Sequence, residues 1–299
     1  MFFYSDKYHL EWLGHVFPVE KYKLTHERII ATGGVGPELI TEPRPATREE
    51  MERVHTPAYL DELERLAAKG VGANTEFEAP LTREVLDAVI LAAGGTAEAC
   101  RYALSHGGAA MNLSGGFHHA YPDHGEGFCF INDVTVAAAA VLAEDLAGRV
   151  MVVDCDVHQG NGTAKTFSDE ERVFTLDIHQ ENNYPSPKEK ANVNIGLPDA
   201  TGDDHYLELL GAALENHAVA FAPDLIIYLA GGDPYVNDTL GGLALTKKGF
   251  VRRDELVIET ARDIGAALAV VLAGGYPENM YDVVDIHFQT AQLLVERCF

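Results

Sequence analysis

From residue 109 onward the chain carries five short apolar runs, at 109–113, 150–153, 173–176, 225–229 and 268–272. They are continuous rather than alternating, as expected of strands buried on both faces. Between them lie stretches of helical pattern near 132–146, 203–220 and 252–267. That alternation predicts a parallel sheet covered by helices. The first third reads as mostly helical. Over 47–69, Leu60, Leu63 and Leu66 fall at helical spacing, and Pro57 after Thr56 suits a helix start. An alanine-rich helix is predicted over 82–104, where Gly94-Gly95 implies close packing rather than a break.

The residues just past each apolar run matter more than the run. The first leads into Gly115-Gly116-Phe117-His118-His119, the second into Asp154-Cys155-Asp156-Val157-His158 and the third into Asp177-Ile178-His179. The last two lead into Gly231-Gly232-Asp233 and Gly274-Gly275-Tyr276. In open α/β sheets ligands bind outside the carboxyl ends of the strands. These histidines, aspartates and the tyrosine are therefore expected on one rim.

Their residue types are those a metal-assisted hydrolysis would need. Asp156 and His158 are two apart on an extended segment, so their side chains point the same way. Asp233 can supply a third ligand from another strand end. Three protein ligands and an open position describe catalytic zinc. The carboxylate-rich set also suits iron or cobalt. Alone, Asp-x-His describes a metal-free hydrogen-bonded pair better than a metal site, and it is the convergence of Asp233 and the His118-His119 pair that favours the metal. Of His118 and His119, one can take a proton from an activated water and return it to a leaving amine. Asp154 and Asn161 are suitable orienters of a histidine ring, although Asn161 between Gly160 and Gly162 also suits a plain turn. The Tyr276 phenol could donate to a developing oxyanion. Phe128 and Tyr184 could wall an apolar channel or simply fill the core.

Charge narrows the partners. The formal net charge is −24. Such a surface repels phosphate backbones, which argues against direct nucleic-acid binding, and it attracts cationic peptides or polyamines. Solubility or salt adaptation explains the same balance. The cysteines, Cys100, Cys129, Cys155 and Cys298, form no CxxC pair or disulfide framework. No signal-peptide pattern opens the chain, and no apolar run is long enough to span a bilayer. A reducing, cytoplasmic compartment is the expectation.

At these residues the chain resembles the zinc-dependent histone deacetylases of the arginase–deacetylase superfamily. The resemblance covers nearly the whole chain. Its segments include Val54-His55-Thr56-Pro57-Ala58-Tyr59-Leu60, the tandem-histidine turn, Gly127-Phe128-Cys129-Phe130-Ile131-Asn132-Asp133, the Asp154–Gly162 stretch, Gly231-Gly232-Asp233, Leu240-Gly241-Gly242-Leu243 and Gly274-Gly275-Tyr276. His158-Gln159-Gly160-Asn161-Gly162, Asp177 and the stretch from His15 to Tyr22 most resemble class IV members.

The resemblance implies one open α/β catalytic domain over 1–299, with an eight-stranded parallel sheet flanked by helices. It implies zinc on Asp156, His158 and Asp233. His118 matches the histidine paired with Asp154, His119 the general base beside Asn161, and Tyr276 the carbonyl-polarising tyrosine. Phe128 and Tyr184 match the aromatic walls of an acyl-lysine tunnel, and Gly127 and Gly275 complete the substrate-binding set. A structural K⁺ or Na⁺ is implied beside Asp154, Asp156, His158, Asp177 and Ile178, and an outer cation near Phe167 and Val173. The expected substrate is an acyl-lysine protein or peptide. An acylated polyamine or other small amine is the alternative, and a non-catalytic acyl-lysine-binding scaffold a third reading. Three positions depart from the common pattern. Asn161 stands where many members carry Asp, which lowers the basicity expected of His119. Pro234 follows a ligand directly and stiffens its loop. Glu78 stands where some members use an Asp to grip the substrate backbone.

Overall fold

Eight parallel strands lie in one sheet. They are β1 (Phe2–Phe3), β2 (Ile40–Thr41), β3 (Ala109–Asn112), β4 (Val150–Asp154), β5 (Val173–Gln180), β6 (Val193–Leu197), β7 (Leu225–Leu229) and β8 (Ala267–Val271). Their order is β2-β1-β3-β8-β7-β4-β5-β6. This computed structural model describes residues 1–10, 15–33, 35–72 and 77–298. The helices are α1 (Glu20–Ala31), α2 (Arg48–Glu52), α3 (Pro57–Lys69), α4 (Arg83–His106), α5 (Asp133–Ala143), α6 (Asn161–Thr166), α7 (Asp203–Phe221), α8 (Lys247–Ile264) and α9 (Met280–Cys298).

The continuous apolar runs are strands buried on both faces. Val150 and Val152 join one core with Ala97 and Cys100 of α4 and Val134 and Ala137 of α5. Met151 and Val153 join the other with Leu210 of α7, Val257 of α8 and Leu294 of α9. The side-chain period of two thus splits each strand between two helical layers. Every residue of β7 is fully enclosed. Burying an aliphatic side chain contributes about 1.5–3 kcal/mol, so the central strands form a rigid base for the loops that leave them.

All five apolar runs are strands. The three strands without such a run are short or at an edge. β1 and β2 have two residues each, and the edge strand β6 alternates between partly buried and exposed positions until Leu197. Along 47–69 the helical pattern divides into α2 and α3. Pro57 occupies the first turn of α3, and the Thr56 side chain accepts from Tyr59 N. The helix expected over 252–267 runs from Lys247 to Ile264. Thr246 caps it by accepting from Gly249 N, and Gly265 ends it at φ 74°. The Gly94-Gly95 pair does mark close packing: a Cβ on Gly94 would lie 1.9 Å from Arg44 O, and one on Gly95 2.4 Å from Tyr8 Oη.

The ladders bring the strand ends level. Asp154 of β4 faces Asp177 of β5 and Leu229 of β7, and Leu229 faces Val271 of β8. The loops leaving these strands therefore emerge side by side.

Candidate metal centre and active-site rim

Asp156 and His158 leave β4, and Asp233 leaves its sheet neighbour β7. One ligand atom from each lies within 4.8 Å of the others. Asp233 is 0% exposed and Asp156 2%. His158 Nδ1 stands 3.2 Å from Asp156 Oδ1 and 3.2 Å from Asp233 Oδ2. Backbone amides hold the carboxylates in place: Val157 N donates to Asp233 Oδ1 at 2.9 Å, and Gly274 N donates to Asp156 Oδ2 at 2.7 Å. Residue 274 must be glycine for this approach, because a Cβ there would meet Asp233 Oδ2 at 2.1 Å.

The electrostatics call for a cation. Among the described residues, no lysine or arginine ion-pairs with either carboxylate. Burial, then the charge of Asp156, pushes Asp233 up to about 7. Burial works against a charged His158, but Asp156 and Asp233 outweigh it and raise the imidazole to about 10. A proton on His158 thus supplies the charge that a bound metal would bring, and metal binding releases such protons. One imidazole nitrogen and two carboxylates form a donor set that fits catalytic zinc.

The tandem histidines come after β3 on a turn that Asp133 fixes. Its carboxylate accepts from Gly116 N at 3.0 Å and Phe117 N at 2.8 Å. His118 Nδ1 pairs with Asp154 Oδ2 at 2.7 Å, and His119 Nδ1 with Asn161 Oδ1 at 2.7 Å. Their Nε2 atoms face each other at 3.1 Å. Burial opposes charge on His118, yet Asp154 and Asp156 raise it to about 9. Burial and the charges of His118 and His158 hold His119 well below the usual imidazole range. The two rings are thus biased in opposite directions, His118 toward the charged form and His119 toward the neutral one.

Tyr276 completes the rim. With His119, Gly127 and His158 it lines both an inner pocket and an outer cleft of about 220 Å³. Glu78, Phe128 and Tyr184 also wall the cleft. The Tyr184 ring stands 4.8 Å from that of His119, and the Phe128 ring 6.3 Å from that of Tyr276. Gly127 backs onto His119, where a Cβ would lie 2.6 Å from Cδ2. Gly275 turns the chain into Tyr276 at φ 134°. Phe128 and Tyr184 are thus cleft walls, only partly buried.

The β5 rim residues stand apart from the ligand trio. Asp177 pairs with His179 at 2.6 Å and accepts from Gly160 N at 2.8 Å. It faces Asp154, whose carboxyl burial, with Asp177 nearby, raises to about 6 despite His118. Ile178 is enclosed in the core, and Phe167 and Val173 pack beside α5. Pro234 sits in a pinned loop, its carbonyl accepting from Leu245 N at 3.0 Å.

Several site neighbours escape a reading of the sequence. Asp238 accepts from Tyr276 N at 2.6 Å and from Leu240 N and Gly241 N at 2.9 Å, tying two rim loops together. Its only sequence signal is its place just before Leu240-Gly241-Gly242. Lys21 is fully enclosed, donates to Ala273 O at 2.6 Å and lies 5.6 Å from the Tyr276 ring. Burial lowers its ammonium to about 8. Glu126 hydrogen-bonds the Tyr184 hydroxyl at the cleft wall.

Known proteins resemble this chain in sequence and in fold. Residues 15–291 match the Histone deacetylase domain. An uncharacterized protein of Picosynechococcus sp. is 39% identical over 278 residues, covering 91% of this chain and 90% of its own. Histone deacetylase 2 of Arabidopsis thaliana is 31% identical, covering 94% of this chain and 76% of its own. The crystal structure of the HDA15 HD domain superposes with a TM-score of 0.84 at 25% identity, covering 98% of this chain and 90% of the other. Agreement of that extent, in sequence and in fold alike, makes this chain a member of the histone deacetylase family.

Proposed function

We propose that the chain is a zinc-dependent amidohydrolase that removes acyl groups from N-acyl-lysine in proteins or peptides. The observation that carries this reading is the buried Asp156–His158–Asp233 trio beside a histidine pair whose Nδ1 atoms are held by Asp154 and Asn161. Asp156, His158 and Asp233 would hold the metal. Zinc there would supply Lewis acidity, polarising an amide carbonyl and acidifying water. His119 Nε2 is left unprotonated because Nδ1–H donates to Asn161 Oδ1; it faces His118 Nε2 at 3.1 Å and accepts the proton of the attacking water. Tyr276 donates its O–H to the carbonyl oxygen as charge develops there. His118, charged through Asp154, delivers a proton toward the leaving amine. Phe128, Tyr184 and Gly127 shape the cleft for an aliphatic acyl-lysine stem, and Gly275, which lines neither pocket nor cleft, acts only by turning the chain into Tyr276. A K⁺ or Na⁺ beside Asp154, Asp156, His158, Asp177 and Ile178 would offset the facing carboxylates of β4 and β5.

The reading extends to residues 1–299 acting as one catalytic domain in a reducing, cytoplasmic setting. Free thiols on all four cysteines support the compartment. No helix among the described residues is long and apolar enough to cross a membrane. Acylated polyamines form the second reading, favoured by the net charge of −24 and by Glu78 and Glu126 at the cleft.

A panel of acetyl-lysine peptide, long-acyl-lysine peptide and acetylpolyamine separates these readings. Zinc-restored hydrolysis of an acyl-lysine peptide, inhibited by a hydroxamate, is the expected result. Turnover of acetylpolyamine alone selects the second reading, and no turnover of any amide selects a non-catalytic scaffold. Asn161→Asp gives a pH signature. A carboxylate on His119 Nδ1 stabilises the imidazolium, so the base protonates at higher pH. The acid limb of kcat/KM should move up by about one to three pH units. An unmoved limb, with the variant folded and active, would remove His119 as the titrating base.

A further inference from the structure

We infer that Arg253 is a positioning residue for the metal centre, setting the spacing between the Asp156 and Asp233 loops. The inference rests on the metal reading above. Arg253 lies on α8, is 0% exposed and touches neither the pocket nor the cleft. Its Nη1 donates to Gly231 O at 2.6 Å and approaches Cys155 O at 3.5 Å. Gly231 lies two residues before Asp233, and Cys155 immediately precedes Asp156. One guanidinium from α8 therefore spans the backbone of both ligand loops.

The contact falls where the ladder stops. Cys155 N still donates to Leu229 O at 3.1 Å, the last rung between the two segments. Beyond it the loops press together, and a Cβ on Gly231 would lie 2.7 Å from Asp156 Cα. The carbonyls of Gly231 and Cys155 are buried at this point and need donors. A planar guanidinium can serve two acceptors in fixed geometry, which an ammonium does less well.

The guanidinium is itself held firmly. Nε donates to Asp254 Oδ1 at 3.0 Å. Nη2 lies 2.9 Å from the same oxygen, without the alignment of a hydrogen bond. Asp254 also accepts from Tyr228 Oη at 2.6 Å and from Thr290 Oγ1 at 2.6 Å. The Phe250 ring covers the guanidinium carbon at 4.5 Å. Tyr228 belongs to β7, so the assembly ties α8, α9 and β7 to the metal loops. This specifies two separable jobs: the Arg253–Asp254 ion pair braces the helices, and the Nη1 donations set the loops.

The test uses the whole chain reconstituted with Co²⁺. Its readouts are affinity by chelator competition, the visible cobalt spectrum and thermal melting of the metal-free protein. Arg253→Met should weaken Co²⁺ binding about 10- to 100-fold, the range for groups that orient metal ligands, and alter the cobalt spectrum. Arg253→Lys, which keeps one donor and the charge, should recover part of the affinity. Asp254→Asn removes the ion pair but keeps an amide oxygen to accept from Nε, so Nη1 stays in place; it should lower the melting temperature while keeping affinity and spectrum near wild type. A folded Arg253→Met or Arg253→Lys protein with wild-type affinity and spectrum overturns the inference. So does an Asp254→Asn protein that loses cobalt as badly as Arg253→Met. Wild-type protein that binds no cobalt, or Asp233→Asn that binds it unimpaired, overturns the metal reading and this inference together.

Discussion

His119→Ala should lower kcat by about 10²–10⁴-fold, the usual contribution of a positioned general base, while the protein still binds one zinc. In free energy this is about 3–5 kcal/mol of transition-state stabilisation. The size of the effect comes from geometry. His119 offers Nε2 to the pocket because Asn161 holds Nδ1 at 2.7 Å. His118, 3.1 Å away, has its Nδ1 engaged by Asp154, whose charge favours the protonated ring, so it is the poorer base of the two. Metal retention is expected because His119 is outside the ligand trio, with its ring 6.0 Å from that of His158. Single-turnover hydrolysis and zinc stoichiometry measured on one preparation make the check. Normal turnover would remove His119 from the reaction, and loss of zinc would turn its role into a structural one.

Tyr276→Phe should lower kcat by about 10²–10³-fold with KM little changed, as when one oxyanion donor is lost. The substitution removes a hydroxyl and keeps the ring, which packs edge-on to Phe17 at 5.8 Å and Phe128 at 6.3 Å. The cleft keeps its shape, so ground-state binding should persist. A group that acts only in the transition state lowers kcat and kcat/KM together. Burial, with Asp156 and Asp233 nearby, pushes the phenol well above its usual range. It therefore stays a donor across the working pH range and should add no alkaline limb to the rate profile. A rise in KM at constant kcat would reassign Tyr276 to binding alone.

The family reading was legible because its residues come directly after strands of continuous apolar composition. Val150, Met151, Val152 and Val153 announce a doubly buried strand, and the residues leaving such a strand in a parallel sheet arrive at the rim. Local spacing then sufficed for Asp156 and His158, and the glycines before His118 and Tyr276 marked close backbone approaches. The short strands β1 and β2 carry too few residues for any periodicity, and β6 alternates as an edge does.

By itself, then, the sequence determined the α/β class, the five central strands, the rim and the chemical kind of its side chains. These are local properties, set by burial pattern and residue type. Only the tertiary structure decided which groups meet and how their charges settle. His118 and His119 take different partners, Asp154 and Asn161, which are 36 and 42 residues distant along the chain. Lys21 lies near Tyr276 across 252 residues of chain to Ala273, and Arg253 reaches Cys155 across 98. Such contacts have no periodic trace, because a long polar side chain enters the core only where distant backbone carbonyls need a donor. That need arises only after the sheet has brought the loops together.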